Sequence, residues 1–250
     1  MKSKFKLIKK NSLAPHTYYF VFYSDLEIQF KPGQYFLLET QEGTHRAYSI
    51  ANCFKKEDFL LKDLPEISTG TYISFIVSTR PNGPSSHFFE EVQEDIEVEA
   101  IGPNGRFNLV QNDRPKVFIA TGTGVAPFIP MVYQSLADNP LQSVSVFFGL
   151  SFNEDKYIKR FFAEIINNKE EYPNFKFYLT SRHSQVTDLD LQGRVTESVP
   201  QTLVRPEESD FYICGNPEMV DDMKLALVQI GVFENKIFTE KYGKSKPKNK

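Results

Sequence analysis

One glycine turn and one arginine-led cluster hold the residues whose types and spacing can do chemistry. Gly122-Thr123-Gly124-Val125-Ala126-Pro127 directly follows the apolar run at 116–120 (KVFIA). Glycines beyond a strand let backbone approach a pyrophosphate, and a helix start offers free N–H groups and a positive dipole end. Pro127 suits a first helical turn, where no N–H is needed. The same residues also read as a tight strand-to-helix turn that holds nothing. Arg46-Ala47-Tyr48-Ser49 joins a fork that pairs with phosphate, a ring that stacks and a hydroxyl that bonds a ring nitrogen. Taken alone, it is an exposed arginine and a half-buried tyrosine on a strand.

Three further segments carry weaker signals. Gly83, Ser85 and Ser86 precede a short helix at His87-Phe88-Phe89 and offer backbone and hydroxyl donors to an anion, or simply an ordinary N-cap. Gly102-Pro103-Asn104-Gly105-Arg106-Phe107 says only "turn". Cys214-Gly215-Asn216-Pro217 follows the strand-like DFYIC, where a small residue past a parallel strand leaves room for a ligand. Cys214 itself reads as packing rather than redox chemistry.

The elements that must position these groups fall into two patterns. Residues 18–23, 35–38, 48–50, 72–77 and 96–101 read as short strands with turns between them, an antiparallel barrel or sandwich. Residues 54–70 read as a long surface excursion. After 112–115 (NDRP), strands at 116–120, 144–148, 175–179, 210–214 and 236–239 alternate with helices at 155–167 and 218–230. That alternation predicts a parallel sheet with helices on both faces. The expected organisation is a barrel over 1–112, an α/β domain over 113–242 and a Lys-rich tail over 243–250.

Composition narrows the field. The chain has 250 residues with a formal net charge of −3, so no basic field argues for nucleic acid. Two cysteines, Cys53 and Cys214, are too few for a four-thiolate iron–sulfur cluster. The histidines His16, His45, His87 and His183 lack metal-ligand spacing, so no metal is expected. The uncharged stretch 117–137 approaches the roughly 20 apolar residues a spanning helix needs. It is broken by Gly122, Gly124, Pro127 and Pro130, so no membrane span and a cytoplasmic protein are expected.

Together, in their order and separation, the motifs RAYS (46–49), Gly83/Ser86, GPNGRF (102–107), TGTGVAP (121–127) and CGNPEM (214–219) resemble the ferredoxin–NADP reductase superfamily. PGQY (32–35) and TEKY (239–242) fit the same family, so the resemblance covers residues 5–242. It implies a flavin-dependent NAD(P)H oxidoreductase with an FAD-binding barrel followed by a nicotinamide-nucleotide domain. Arg46 with Ala47 beside it would meet the FAD pyrophosphate, Tyr48 would stack on the isoalloxazine and Ser49 would bond near flavin N5. Gly83, Ser85 and Ser86 would cradle the FAD phosphates. Thr121, Gly122 and Gly124 would line the nicotinamide nucleotide site, with Cys214 and Gly215 beside the nicotinamide. Glu240 and Tyr242 match the family's closing Glu-x-aromatic pattern, although eight more residues follow Tyr242 here. Ser181-Arg182, with Arg194, matches the pair that grips a 2′-phosphate in NADP-preferring relatives. Gly149-Leu150-Ser151 lacks the arginine that some of those relatives place after that strand.

On this reading NADPH delivers a hydride to FAD, with Ser49, Cys214 and Glu240 shaping the catalytic site. NADH and FMN remain open alternatives. Without cluster cysteines an internal ferredoxin domain is excluded, so electrons leave to a separate ferredoxin or flavodoxin, or to an oxygenase component. Reduction of free flavin, ferric chelates or quinones is a second enzyme class. A flavin-bearing subunit or a cofactor-free relic is the non-enzymatic one.

Overall fold

The computed structural model describes residues 1–41, 43–52, 69–80 and 84–243. Gly83, Cys53, residues 54–68 of the expected excursion and the tail from residue 244 lie outside them. The chain divides into two compact units, Met1–Leu109 with Ala126–Gln134, and Val110–Val125 with the residues from Ser135 onward.

The first unit is built on six strands: β1 Lys2–Ala14, β2 Thr17–Ser24, β3 Tyr35–Gln41, β4 Thr44–Ser49, β5 Thr71–Ser78 and β6 Glu97–Asn104, with helix α1 Pro84–Glu91 between the last two. Their order is β4-β3-β6-β1-β2-β5, every pairing antiparallel. Ile50, just past β4, bridges Phe75 of β5, so the two sheet edges meet and close a barrel. Asn52 clasps that seam. Its Nδ2 donates to the Tyr72 carbonyl at 2.6 Å, and its Oδ1 accepts from the Ser74 N–H at 2.7 Å.

Period-two alternation along the strands fills the barrel with rings. Phe5, Phe20, Phe22, Phe36 and Phe75 are fully buried, and Phe5 packs on Phe36 with centroids 4.9 Å apart. Phe89 of α1 packs on Phe20 at the same 4.9 Å. The opposite face of β1 carries lysines. Lys2 meets Glu99 at 2.6 Å, Lys4 meets Glu97 at 3.0 Å and Lys6 meets Asp95 at 2.8 Å. Gly33 has φ +96, and a Cβ there would run into the Phe107 carbonyl, so PGQY and GPNGRF are held back to back by a residue only glycine can supply.

The second unit is a six-stranded parallel sheet of β7 Lys116–Thr121, β8 Val144–Gly149, β9 Phe175–Ser181, β10 Leu191–Gln192, β11 Asp210–Gly215 and β12 Ile237–Lys241. The order is β10-β9-β8-β7-β11-β12. Strand order therefore reverses between β7 and β11, the place where parallel α/β sheets bind ligands. Helix α2 Phe128–Asp138 follows β7, α3 Ala163–Asn167 follows β8, α4 Val195–Thr202 follows β10 and α5 Pro217–Gln229 follows β11. Val195 and Val199 of α4 and Val220, Met223 and Leu227 of α5 bury against Val117, Ile119 and Ile213 of the sheet.

At the start of β7 and β11 an ionic group is buried. Lys116 Nζ meets Asp210 Oδ2 at 2.9 Å, with side chains 2% and 1% exposed. Asn112 Nδ2 donates to the same carboxylate at 2.9 Å, and Arg114 Nε lies 3.1 Å from its other oxygen.

The sequence expectation differs from the fold in three places. Residues 155–167, expected as one helix, form a 3-10 helix over Asn153–Phe162 and then the short α3. The 13-residue β1 and the pair β10 and α4 were not expected at all. The compact units part at 109/110, and Ala126–Gln134 groups with the first unit. Among the described residues no helix is long and apolar enough to cross a membrane.

Candidate functional site

In the first unit the residues of interest gather on β4 and α1. Strand alternation puts Arg46 and Tyr48 on one face of β4 and His45, Ala47 and Ser49 on the other. Tyr48 packs edge-on against Phe89, with centroids 5.0 Å apart. Burial pushes its phenol up to about 12, with the Ser85 hydrogen bond and the Arg46 charge pulling the other way. The ring is thus held as a neutral plate. Ser85 Oγ also shares a hydrogen bond with Thr40 Oγ1 at 2.8 Å. Thr40 is a member of this cluster that sequence reading missed; its pairing across strands left no local signal. Arg46 is exposed and donates only to the carbonyl of His45 next to it, at 3.1 Å, among its hydrogen bonds within the described residues. Ala47 is exposed, while Ser49 and Ser86 are buried.

In the second unit the C-terminal ends of the parallel strands open onto a cavity of about 310 Å³. Thr121 closes β7 at its edge, and Arg182 and Arg194 enter from the segments after β9 and before α4. Both arginines are exposed. Arg194 is fixed at the helix start because Glu197 Oε2 accepts its backbone N–H at 3.0 Å. Ser181 is 2% exposed, donating to the Leu150 carbonyl at 2.9 Å and accepting the His183 N–H at 3.2 Å. Its hydroxyl is thereby used in holding the loop that carries Arg182. Glu218 and Asp222 line the α5 side of the cavity, so its charge is divided, basic toward β9 and acidic toward α5. Sequence reading missed His183 and Asp222, which line it, and held Asn216, also in the lining, only as part of the 214–219 motif. Asn216 is legible as the cap of α5: its Oδ1 accepts the N–H groups of Glu218 at 2.8 Å and Met219 at 3.3 Å, ahead of Pro217.

Beside the cavity the glycines do two different jobs. A Cβ on Gly124 would collide with the Cys214 carbonyl, so β7's turn and the end of β11 touch through backbone. Gly215 has φ +138, and a Cβ there would sit 2.7 Å from Thr121 Oγ1. Gly122 has φ +55 with open space around it, so only its conformation calls for glycine. Thr121 Oγ1 is buried and has no hydrogen-bond partner among the described residues. A buried hydroxyl without a partner, beside bare glycine backbone and two free-standing arginines, is what an anionic nucleotide needs. The residues present therefore fit such a group.

Cys214 is fully buried, with Sγ 3.9 Å from Glu240 Oε2. Burial, followed by the Glu240 carboxylate, pushes its thiol well above the ordinary value. It stays a neutral thiol. The Tyr242 N–H donates to the Gly215 carbonyl at 2.9 Å, which ties the end of TEKY to the same strand end.

A closed antiparallel barrel with an arginine–tyrosine–serine strand, followed by a parallel sheet with an open nucleotide-sized cavity, defines the class as a two-domain, ferredoxin-reductase-like fold. Residues 118–224 match the oxidoreductase NAD-binding domain family. The anthranilate 1,2-dioxygenase electron transfer component of Acinetobacter baylyi is 26% identical over 221 residues, 86% of this chain and 59% of that protein. Protein RfbI of Salmonella typhimurium is 30% identical over 200 residues, 79% of this chain and 54% of that one. The chain thus spans less than two thirds of either relative. Among solved structures, the cytochrome P450 reductase GcoB of Amycolatopsis superposes with a TM-score of 0.81 at 24% identity, covering 96% of this chain and 69% of that one. A ferredoxin NADP+ reductase from Neisseria gonorrhoeae with bound FAD and NADP gives 0.74 at 22%, covering 96% and 98%. The chain thus shares the two-domain fold of these reductases, and its residues 118–224 match an oxidoreductase NAD-binding domain.

Proposed function

We propose that this chain is an FAD-dependent NAD(P)H oxidoreductase that passes electrons from NADPH to a separate one-electron carrier. The observation that carries the reading is the cavity past β7, β8 and β9, with Thr121's partnerless hydroxyl at one end and Arg182 and Arg194 at the other. When bound, FAD supplies the hydride acceptor and the means of releasing electrons one at a time.

The chain's own residues bind, orient and exclude. Arg46 offers its fork to a pyrophosphate, and Ser85 and Ser86 offer donors at the start of α1, with Gly83 expected to join them. Tyr48, neutral and braced by Phe89 and Ser85, is a flat apolar platform for a flavin ring. Ser49, buried on the other face of β4, is the hydroxyl expected to bond near the ring nitrogen. Gly122, Gly124 and Gly215 keep side chains out of the way of a nicotinamide nucleotide, and Thr121 gains the partner it lacks. Cys214 works by its size and as a weak donor, since its raised thiol is no nucleophile at neutral pH. Glu240 and Tyr242 complete that strand end.

Arg182 and Arg194 supply the preference for NADPH, because a guanidinium grips a 2′-phosphate that NADH lacks. Ser181 contributes by holding the loop rather than by touching the phosphate, since its hydroxyl is already engaged. The acidic Glu218 and Asp222 across the cavity hold the phosphate to the β9 side.

For the acceptor, ferredoxin or flavodoxin is the first reading. An oxygenase component is favoured by a specific observation: the anthranilate and toluate 1,2-dioxygenase relatives are named as electron transfer components. A cytoplasmic location is supported by the free Cys214 thiol, which suits a reducing compartment.

Anaerobic titration of the purified protein with NADPH, and separately NADH, tests this through the visible flavin absorbance. Bleaching at stoichiometric NADPH is expected. A yellow protein bleached only by NADH overturns the nucleotide preference. A colourless protein that takes up neither FAD nor FMN overturns the reading itself.

A further inference from the structure

We propose that Glu39, His45 and Glu99 form a binding site for a divalent transition ion of the zinc type on the outer face of the barrel. One donor atom from each of the three residues lies within 4.8 Å of the others. The sheet makes that meeting inevitable. Glu39 and His45 are direct cross-strand partners on β3 and β4. Leu38 pairs with Ala100 across β3 and β6, so the next residues along, Glu39 and Glu99, are neighbours as well. Three adjacent strands of a closed barrel thus each contribute one ligand to one face, which fixes the backbone of all three before any ion arrives.

The donor chemistry suits the same ion. One imidazole nitrogen and two carboxylate oxygens, with a place left for water, form a mixed nitrogen and oxygen set of the kind zinc accepts in open sites. Ligand atoms about 2.1 Å from one ion stand roughly 3.4 Å apart. His45 Nε2 and Glu99 Oε1 already lie 3.4 Å apart. Glu39 has to close the remaining gap, and its side chain is only half buried.

A cation already sits here, in the form of the Lys2 ammonium 2.6 Å from Glu99 Oε2. That ammonium is 69% exposed, so a divalent ion can displace it into water at little cost. Glu39 Oε1 accepts the Gly43 N–H at 2.7 Å, which orients its carboxylate and leaves Oε2 available. Alternation along β4 puts His45 on the face opposite Arg46 and Tyr48, so the ion site lies across the strand from those two residues. Chain spacing carries no sign of the site, because its ligands come from three strands.

The test uses the untagged full chain, freed of metal with a chelator. Zn2+ is titrated by calorimetry, and Co2+ is followed by its visible d–d absorption. One equivalent is expected to bind in the micromolar range or tighter, and to raise the melting midpoint by roughly 2–4 °C or more. His45→Ala and Glu99→Gln should each weaken binding about tenfold or more. His45→Gln serves as a second variant if the alanine form folds poorly. No saturable binding up to millimolar Zn2+, or an unchanged Kd in both the histidine and Glu99 variants, would overturn the proposal.

Discussion

The two sheets hold their charges in opposite ways. On the barrel, Lys2, Lys4 and Lys6 meet Glu99, Glu97 and Asp95 in water, with Lys4 and Glu97 79% and 55% exposed. At the foot of the parallel sheet, Lys116 and Asp210 meet at the same sort of distance with almost no exposure. Distance is therefore a poor guide to what an ion pair does. The exposed ladder makes an aromatic-filled barrel wall compatible with water and sets which face of β1 turns outward, while each pair adds little stability. The buried pair shows its worth when broken, because the surviving partner is left charged in an apolar setting.

Asp210→Asn should give the largest effect, a loss of about 3–5 kcal/mol in urea denaturation at neutral pH. The same variant sharpens the pH side of the contrast. Burial pushes the Asp210 carboxyl up, but the Lys116 ammonium and Asn112 amide outweigh it and hold the group below its ordinary value. Its stabilisation is therefore complete above about pH 4 and disappears as the pH falls through the folded value. Wild type and Asp210→Asn should converge in stability toward acid pH; parallel curves would break the argument.

Next in size is Arg182→Ala. It should raise the Kd for NADPH roughly 10- to 100-fold and leave that for NADH nearly unchanged. Equal losses for both nucleotides would mean that the arginine serves the fold rather than the phosphate. Thermal melts of two glycine variants come third. Gly124→Ala forces a Cβ into the Cys214 carbonyl and should cost about 1–3 kcal/mol. Gly122→Asn meets only open space and a left-handed φ that asparagine tolerates, so its cost should stay below about 1 kcal/mol. The smallest effect belongs to the ladder: Lys4→Ala should cost under about 1 kcal/mol. If it costs as much as Asp210→Asn, the comparison between the two sheets fails.

Most of the parallel unit was legible because its strands are continuous apolar runs followed by glycine or a cap. The barrel was legible only in part. β1 went unread because its lysines mask a period-two pattern: Lys4 and Lys6 alternate with Phe5 and Leu7, and the charges become sensible only once Glu97 and Glu99 stand across from them. Pro200 inside α4 concealed a helix that survives because its buried face, Val195 and Val199, is fixed by the sheet. For the site, types and order were readable but engagements were not. Ser181 looks like a phosphate donor in sequence, and only the fold spends its hydroxyl on Leu150. Thr40, Asp222 and the Glu39–His45–Glu99 group depend on pairings between strands or across a cavity, which no local spacing encodes.

The clasp at Asn52 has a consequence for how this barrel tolerates changes in chain length. Asn52 with Ile50 on one side, and Tyr72, Ser74 and Phe75 on the other, seal the seam from both ends of residues 53–68. Doubling the length of chain that joins these two fixed sides adds only about 0.6 kcal/mol of loop-closure cost. The wall is therefore closed by its flanks, whatever the length of chain between them.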